Sequence, residues 1–207
     1  MENPLNKFTK KDLYFSIITG LITGFIAWRI FVFLELPEFA GISYAWLAVF
    51  VPILWILGVN LGYFLGQWFG FFNQFGKFSV VGFTNAAVYF GILNVLIAWS
   101  DINRGFWYSI FVATAFIIGT THSYFWNKFW VFGATDSNVS GQEFSKFLGV
   151  SMIAGLLNVG TASGVVSLIN PLFELTLNQW ANIGGIAGSA VALAASFVGF
   201  KLAVFKK

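Results

Sequence analysis

Charge, cysteine and histidine are scarce in this sequence. Of its 207 residues only 9% are charged, against about 25% in soluble domains, whose surfaces must face water. The chain is therefore not an ordinary soluble domain. Its 20% aromatic content, with so little charge, also excludes intrinsic disorder. The absence of cysteine removes disulfides, thiolate metal sites and cysteine nucleophiles. The single histidine, His122, has no second imidazole or thiolate with which to build a zinc site. A lone histidine at an interface is expected to be structural, here directed toward Phe125 and Phe129. Acids are missing from the apolar runs: Asp12 and Glu35 only border the first. Paired acids for hydrolysis or transfer and buried relays for proton exchange are accordingly not expected. No G-x-x-x-x-G-K-[ST] loop is present for an ATP-driven motor. These absences predict a protein that is not an enzyme and carries no cofactor or metal.

Apolar residues take the place of charge. They make up 58% of the chain, including 27 Phe and 9 Trp, and mean hydropathy is +0.80. A helix needs about 20 apolar residues to cross about 30 Å of hydrocarbon. Six segments reach that length: 13–34, 44–68, 78–99, 105–127, 147–170 and 180–204. Their runs are continuous, which favours helices over the alternating strands of a membrane barrel. The expected fold is an all-α membrane protein with six transmembrane helices. The connections are too short to fold alone, so any function must lie in or at the membrane.

Basic residues set the orientation. Lys7, Lys10, Lys11, Lys77, Lys128, Lys146, Lys201, Lys206 and Lys207 fall on one side of a six-span path, nine of the eleven Lys and Arg. That side is read as cytoplasmic, with both termini inside. The other side keeps Arg104 with Glu35, Glu38, Asp101 and Glu174. The pI near 9.2 reflects this asymmetry rather than affinity for nucleic acid. The first span is expected to remain as an uncleaved helix, because it is long, contains Arg29 and lacks an A-x-A site. Arg29 is expected to be an interfacial anchor near Glu35 or Glu38.

Small residues recur one turn apart at Gly20 and Gly24, at Gly58, Gly62 and Gly66, and from Ala181 through Gly185, Gly188, Ala192 and Ala195 to Gly199. Such stripes let helix backbones approach closely in lipid. The partner is either a helix of the same chain or a second copy. The chain also repeats itself: with a shift of 73, ten of the 60 positions from 75 to 134 match without a gap. Among the pairs are Gly82/Gly155, Asn85/Asn158, Ser123/Ser196 and Lys128/Lys201. Each unit holds two spans, so the last four helices are expected to form two parallel two-helix repeats.

The repeat places Lys77, Lys128, Lys146 and Lys201 at the cytoplasmic helix ends. Asn85 and Asn158 lie deeper; Asn85 is about 12 Å of helix beyond Lys77. Thr120, Ser123 and Asn127 share one face of the fourth span. Two readings stand side by side. The lysines set topology and the amides bond neighbouring helices, or the ammonium and amide groups together receive the phosphate of a lipid headgroup.

At KFSVVGFTNAAV, SYFWNKFWVF, KFLGVSMIAGLLNV and the closing KLAVF, the sequence resembles the GtrA-like family of small bacterial membrane proteins. Lys77, Phe78, Val81, Gly82 and Asn85 fit its opening motif; Asn127, Lys128, Trp130 and Phe132 fit the N-[RK]-x-W-x-F close. In the second repeat Phe200 and Ala203 stand where Asn and Trp are usual. The resemblance covers residues 75–205 and implies a four-span domain at 71–207, preceded by an extra two-span hairpin at 1–70. It implies a bacterial cytoplasmic-membrane protein of cell-surface polysaccharide synthesis that flips polyprenyl-phosphate-linked sugars. A membrane glycosyltransferase is the implied partner, and a homo-oligomer is compatible with the small-residue stripes. The candidate substrate-binding residues are Lys77, Asn85, Ser123, Asn127, Lys128, Lys146, Asn158 and Lys201. Two other functions fit the same outline: a non-catalytic subunit that positions the glycosyltransferase, and a small-solute exporter. Because the chain has no cysteine, single-cysteine variants have no background. Gln74→Cys is expected to react with an impermeant maleimide only after permeabilisation, and Asn103→Cys in intact cells. The opposite pattern would invert the topology.

Overall fold

The computed structural model describes residues 7–38, 41–131 and 141–203, with backbone alone for 141–147 and 197–203. Its long elements are all helices: α1 (Lys10–Phe33), α2 (Leu47–Leu65), α3 (Phe72–Ser100), α4 (Gly105–Trp126), α5 (Gly141–Leu168) and α6 (Leu177–Ala203). A 3-10 turn at Tyr44–Trp46 leads into α2, and a π-helical turn at Asn127–Val131 continues α4. The six predicted segments are thus six helices, and the chain is an all-α membrane protein. Among the described residues, four helical stretches are long and apolar enough to cross a membrane: Lys10–Phe33, Tyr44–Leu65, Phe72–Ser100 and Leu148–Leu168. Helix α3 begins six residues before the predicted span. Hydropathy registers only its apolar part, whereas Asn73, Gln74 and Lys77 are polar yet helical.

Large apolar side chains point outward in numbers no soluble protein tolerates. Leu156 is 75% exposed, Phe83 62% and Leu193 73%, as lipid contact requires. Polar capping starts two of the helices. Thr9 and Asp12 form a reciprocal capping box at α1. Before α6, Gln179 N donates to Thr176 Oγ1 at 3.2 Å and Thr176 N to Gln179 Oε1 at 3.0 Å.

The chain divides into two compact units. The first holds α1, α2, α3 to Gly91, α4 from Ile118 and the π turn. Its small residues are in use. Gly20 lies against the Pro52 backbone, and Gly24 against the Leu47 carbonyl. Gly62 lies against Phe72 and Gly76, and Gly66 against Asn73. Apart from Gly58, the stripes of α1 and α2 therefore pack within the chain, α1 on α2 and α2 on the start of α3. An apolar cluster of Val59, Tyr63, Val80, Val81, Trp130 and Val131 fills this unit, with Phe15, Trp55 and Trp126 against it.

The second unit holds α3 from Ile92, α4 to Ile117, α5 and α6. Gly184 lies against Val166 and Ala162, and Gly188 against Asn158 and Ala162, so α5 and α6 nearly touch backbones. Buried and half-buried polar pairs reinforce the packing. Asn94 and Asn182 exchange two amide bonds of 2.8 Å. Tyr108 OH donates to the Ala181 carbonyl at 2.6 Å. Asn103 Nδ2 donates to Asn178 Oδ1 at 3.0 Å. Between membrane helices such bonds, as in the first two pairs, are worth roughly 0.6 kcal/mol each, but they fix which residues face each other.

Arg29 does not pair with Glu35 or Glu38 among the described residues. Its guanidinium lies 5.8 Å from the Trp28 ring, a cation–π contact at the surface of α1. Gly24 and Gly58 provide an internal contrast. A Cβ at Gly24 would overlap the Leu47 carbonyl, whereas nothing lies within 4 Å of one at Gly58. Gly24→Ala is expected to destabilise by about 1–3 kcal/mol, as overpacking does. Gly58→Ala is expected to be neutral or to stabilise by up to about 1 kcal/mol. Thermal unfolding in detergent measures both.

Candidate functional site

The first turn of α1 carries the carboxylate expected only to border a span. In the folded chain Asp12 is 1% exposed. Two of its bonds are local: Thr9 N and Thr9 Oγ1 both donate to Oδ2, at 3.0 and 2.8 Å. The other three come from distant parts of the first unit. Lys77 Nζ, from α3, is 2.7 Å from Oδ1. Trp130 Nε1, from the π turn, donates to Oδ1 at 2.9 Å. Tyr63 OH, from α2, donates to Oδ2 at 3.0 Å. The Lys77 ammonium also lies 5.3 Å from the Tyr63 ring centre.

The surroundings are largely apolar. Phe15 packs edge-on against Trp126 at 5.3 Å and Trp130 at 5.7 Å, and Val59, Val80 and Val131 are buried beside them. An isolated carboxylate would cost many kcal/mol here, and only a partner charge with full hydrogen bonding makes it tolerable. Asp12 has both. It unites α1, α2, α3 and the end of α4 around one charge.

Lys77, expected at an open basic rim, is therefore already neutralised by Asp12, with its side chain 15% exposed. Two other ammonium groups border the π turn. Lys11 Nζ donates to the Phe129 carbonyl at 2.8 Å in an exposed bond. Lys128 Nζ lies 5.8 Å from the Tyr124 ring and 5.7 Å from that of Phe129. Lys11 and Lys128 thus both contact Phe129. Among the described residues Lys77 alone is paired with a carboxylate. The side chains of Lys146 and Lys201 lie outside the described residues.

The predicted polar positions of α3 and α4 divide in character. Asn127 Nδ2 turns back to its own helix, donating to Ser123 O at 2.9 Å and Ser123 Oγ at 3.1 Å. Its Oδ1 is buried with no donor, and so is Oδ1 of Asn85, which lies where α4 brings Gly119 against α3. His122 faces Trp126 rather than the expected Phe125 and Phe129: Trp126 Nε1 donates to His122 Nε2 at 2.8 Å. The neutral ring then carries its proton on Nδ1, which is buried without a partner. Asn158 belongs to the second unit, fully buried, with Nδ2 3.4 Å from Ser189 Oγ. Of the predicted residues, Lys77, Asn85, Ser123, Asn127 and Lys128 share the first unit.

Three contributors were not expected: Asp12, Tyr63 and Lys11. The T-x-x-D spacing of Thr9 and Asp12 was the available signal, but it announces a helix start, not a buried charge. The pairing has a measurable signature. Lys77→Met is expected to lower stability by about 3–5 kcal/mol, because it strands the Asp12 charge. Asp12→Asn in the same chain should recover much of that loss. Thermal unfolding of the single and double variants gives the coupling.

No curated protein and no solved structure matches the chain. A family model does: GtrA/DPMS, transmembrane domain, over residues 77–205. The match opens at the lysine that holds Asp12, contains Trp130 and leaves α1 and α2 outside. The chain therefore belongs to the GtrA/DPMS transmembrane-domain family, multi-pass membrane proteins of glycolipid and polysaccharide biosynthesis, and carries an additional N-terminal helical hairpin.

Proposed function

We propose that this protein translocates polyprenyl-phosphate-linked sugars across the bacterial cytoplasmic membrane, with both termini inside, and performs no covalent chemistry. The observation that carries this reading is the pair of buried, donor-less amide oxygens on α3 and α4, Asn85 Oδ1 and Asn127 Oδ1, on a hairpin whose end is bordered by ammonium groups. A sugar crossing hydrocarbon must replace the water bound to its hydroxyls, and unpaired buried acceptors are suited to receive them. The phosphate needs cations at the membrane surface. Lys77 already holds an anion, so first capture falls to Lys11 and Lys128 beside Phe129. The polyprenyl tail stays in lipid against the exposed apolar faces. No energy-coupling group is required if flipping runs down a gradient.

A second reading, a subunit that positions a glycosyltransferase, drew on the small-residue stripes of α1 and α2. Those stripes meet Pro52, Leu47 and Gly76 of the same chain, which leaves that reading less to rest on. The exporter reading would need a proton relay; among the described residues Asp12 is already paired with Lys77 and His122 Nε2 already accepts from Trp126.

The test is transport of a labelled polyprenyl-phosphate sugar in liposomes containing the purified protein. Flipping should exceed that of empty vesicles. It should fall by roughly tenfold in the Lys11→Ala/Lys128→Ala variant, equivalent to losing about 1.4 kcal/mol of headgroup binding. Rates equal to empty vesicles would reject translocation. An undiminished rate in the double variant would reject the capture site.

A further inference from the structure

Three of the five bonds to Asp12 come from outside its own helix turn: a phenol hydroxyl, an ammonium and an indole N–H. Lys77 and Trp130 lie inside the family-matched segment, whereas Asp12 lies outside it. Without Asp12, the three donors would face the space that its two carboxylate oxygens now fill. Convergent donors that include a cation form an anion site, and a buried ammonium without a counter-ion is costly. The cradle therefore requires an anion, and the added hairpin supplies one from its own chain.

We propose that Tyr63, Lys77 and Trp130 form a binding site for the oxyanion of a phosphate ester, and that Asp12 occupies it as a tethered competitor. The bonding suits a removable occupant. Thr9 N and Oγ1 hold Oδ2 from within the first turn of α1, so two of the five bonds travel with the carboxylate when that turn withdraws. The turn is fastened by Lys11, whose bond to the Phe129 carbonyl is exposed. A phosphate captured by Lys11 and Lys128 draws Lys11 off that carbonyl, loosens the turn and takes the place of Asp12. The first hairpin thus closes the site at rest. The identity of the ester as a lipid headgroup rests on the translocation reading; the anion site does not.

The experiment uses the full chain in detergent, with inorganic phosphate, formate and decyl phosphate as probes and chloride at equal ionic strength as control. Formate and phosphate are expected to leave the wild-type melting temperature unchanged. Asp12→Ala should melt lower, and formate or phosphate should restore it by several degrees. Asp12→Ala/Lys77→Met should show no restoration. Decyl phosphate should bind Asp12→Ala at least tenfold more tightly than wild type, and more tightly than inorganic phosphate binds. If Asp12→Ala does not fold, Asp12→Ser, whose shorter side chain also empties the cradle, undergoes the same titrations. Melting temperatures indifferent to anions in the Asp12 variants would overturn the anion site. Equal affinity of wild type and variant for decyl phosphate would overturn the competition. Anion rescue in a protein that fails to flip lipid would leave this proposal standing and remove the translocation reading instead.

Discussion

A carboxylate removed from water must be met by charge and by hydrogen-bond donors, or it does not stay charged. That constraint organises the first half of this protein. Asp12 satisfies it with five bonds drawn from its own helix cap, from α2, from α3 and from the π turn. Apolar packing around it is extensive but non-directional, and in a bilayer the lipid tails compete for the same contacts. The ion pair supplies the direction. It determines which face of α3 meets α1 and where the end of α4 must lie. The second half of the chain has no buried charge of this kind among its described residues. Neutral pairs such as Asn94 with Asn182 and Tyr108 with the Ala181 carbonyl take the equivalent role there.

The π turn is a condition of the arrangement. It lies across Asn127–Val131, within the stretch that resembles the family's closing motif. An extra residue in a helical turn rotates everything after it by about 100°. Trp130 reaches Asp12 from that turn, while Phe129 offers its carbonyl to Lys11 and its ring face to Lys128. One local irregularity thus orients the indole inward and leaves the basic groups at the border. Irregular helix turns of this kind are common at functional sites.

The number and kind of elements were legible in the sequence because lipid imposes a plain demand: long runs of Phe, Ile, Leu and Val cannot be loops. Helix ends were less legible, as at α3, where Asn73 and Gln74 extend the helix beyond its apolar part. The glycine stripes announced close packing but not its partner. That Gly24 meets Leu47 and Gly76 meets Gly62 depends on the path of the chain. Lys77, Asn127 and Lys128 were recognisable as a group through their motifs. Asp12 was not, since its donors are scattered and Trp130 stands 118 residues away. Burial of that charge is a property of the assembled helices, and no local pattern encodes it.

That separation also orders the protein's birth. Helix α1 is made and inserted long before Lys77, and longer still before Trp130. Until Lys77 and Trp130 arrive, the Asp12 carboxylate has the Thr9 cap, the Tyr63 hydroxyl and interfacial water as partners. Its set of donors is complete only after α4 has delivered its indole. Completion of the first half therefore depends on a late-arriving residue, and a ribosome halted before Trp130 would leave a hairpin that is inserted but not locked.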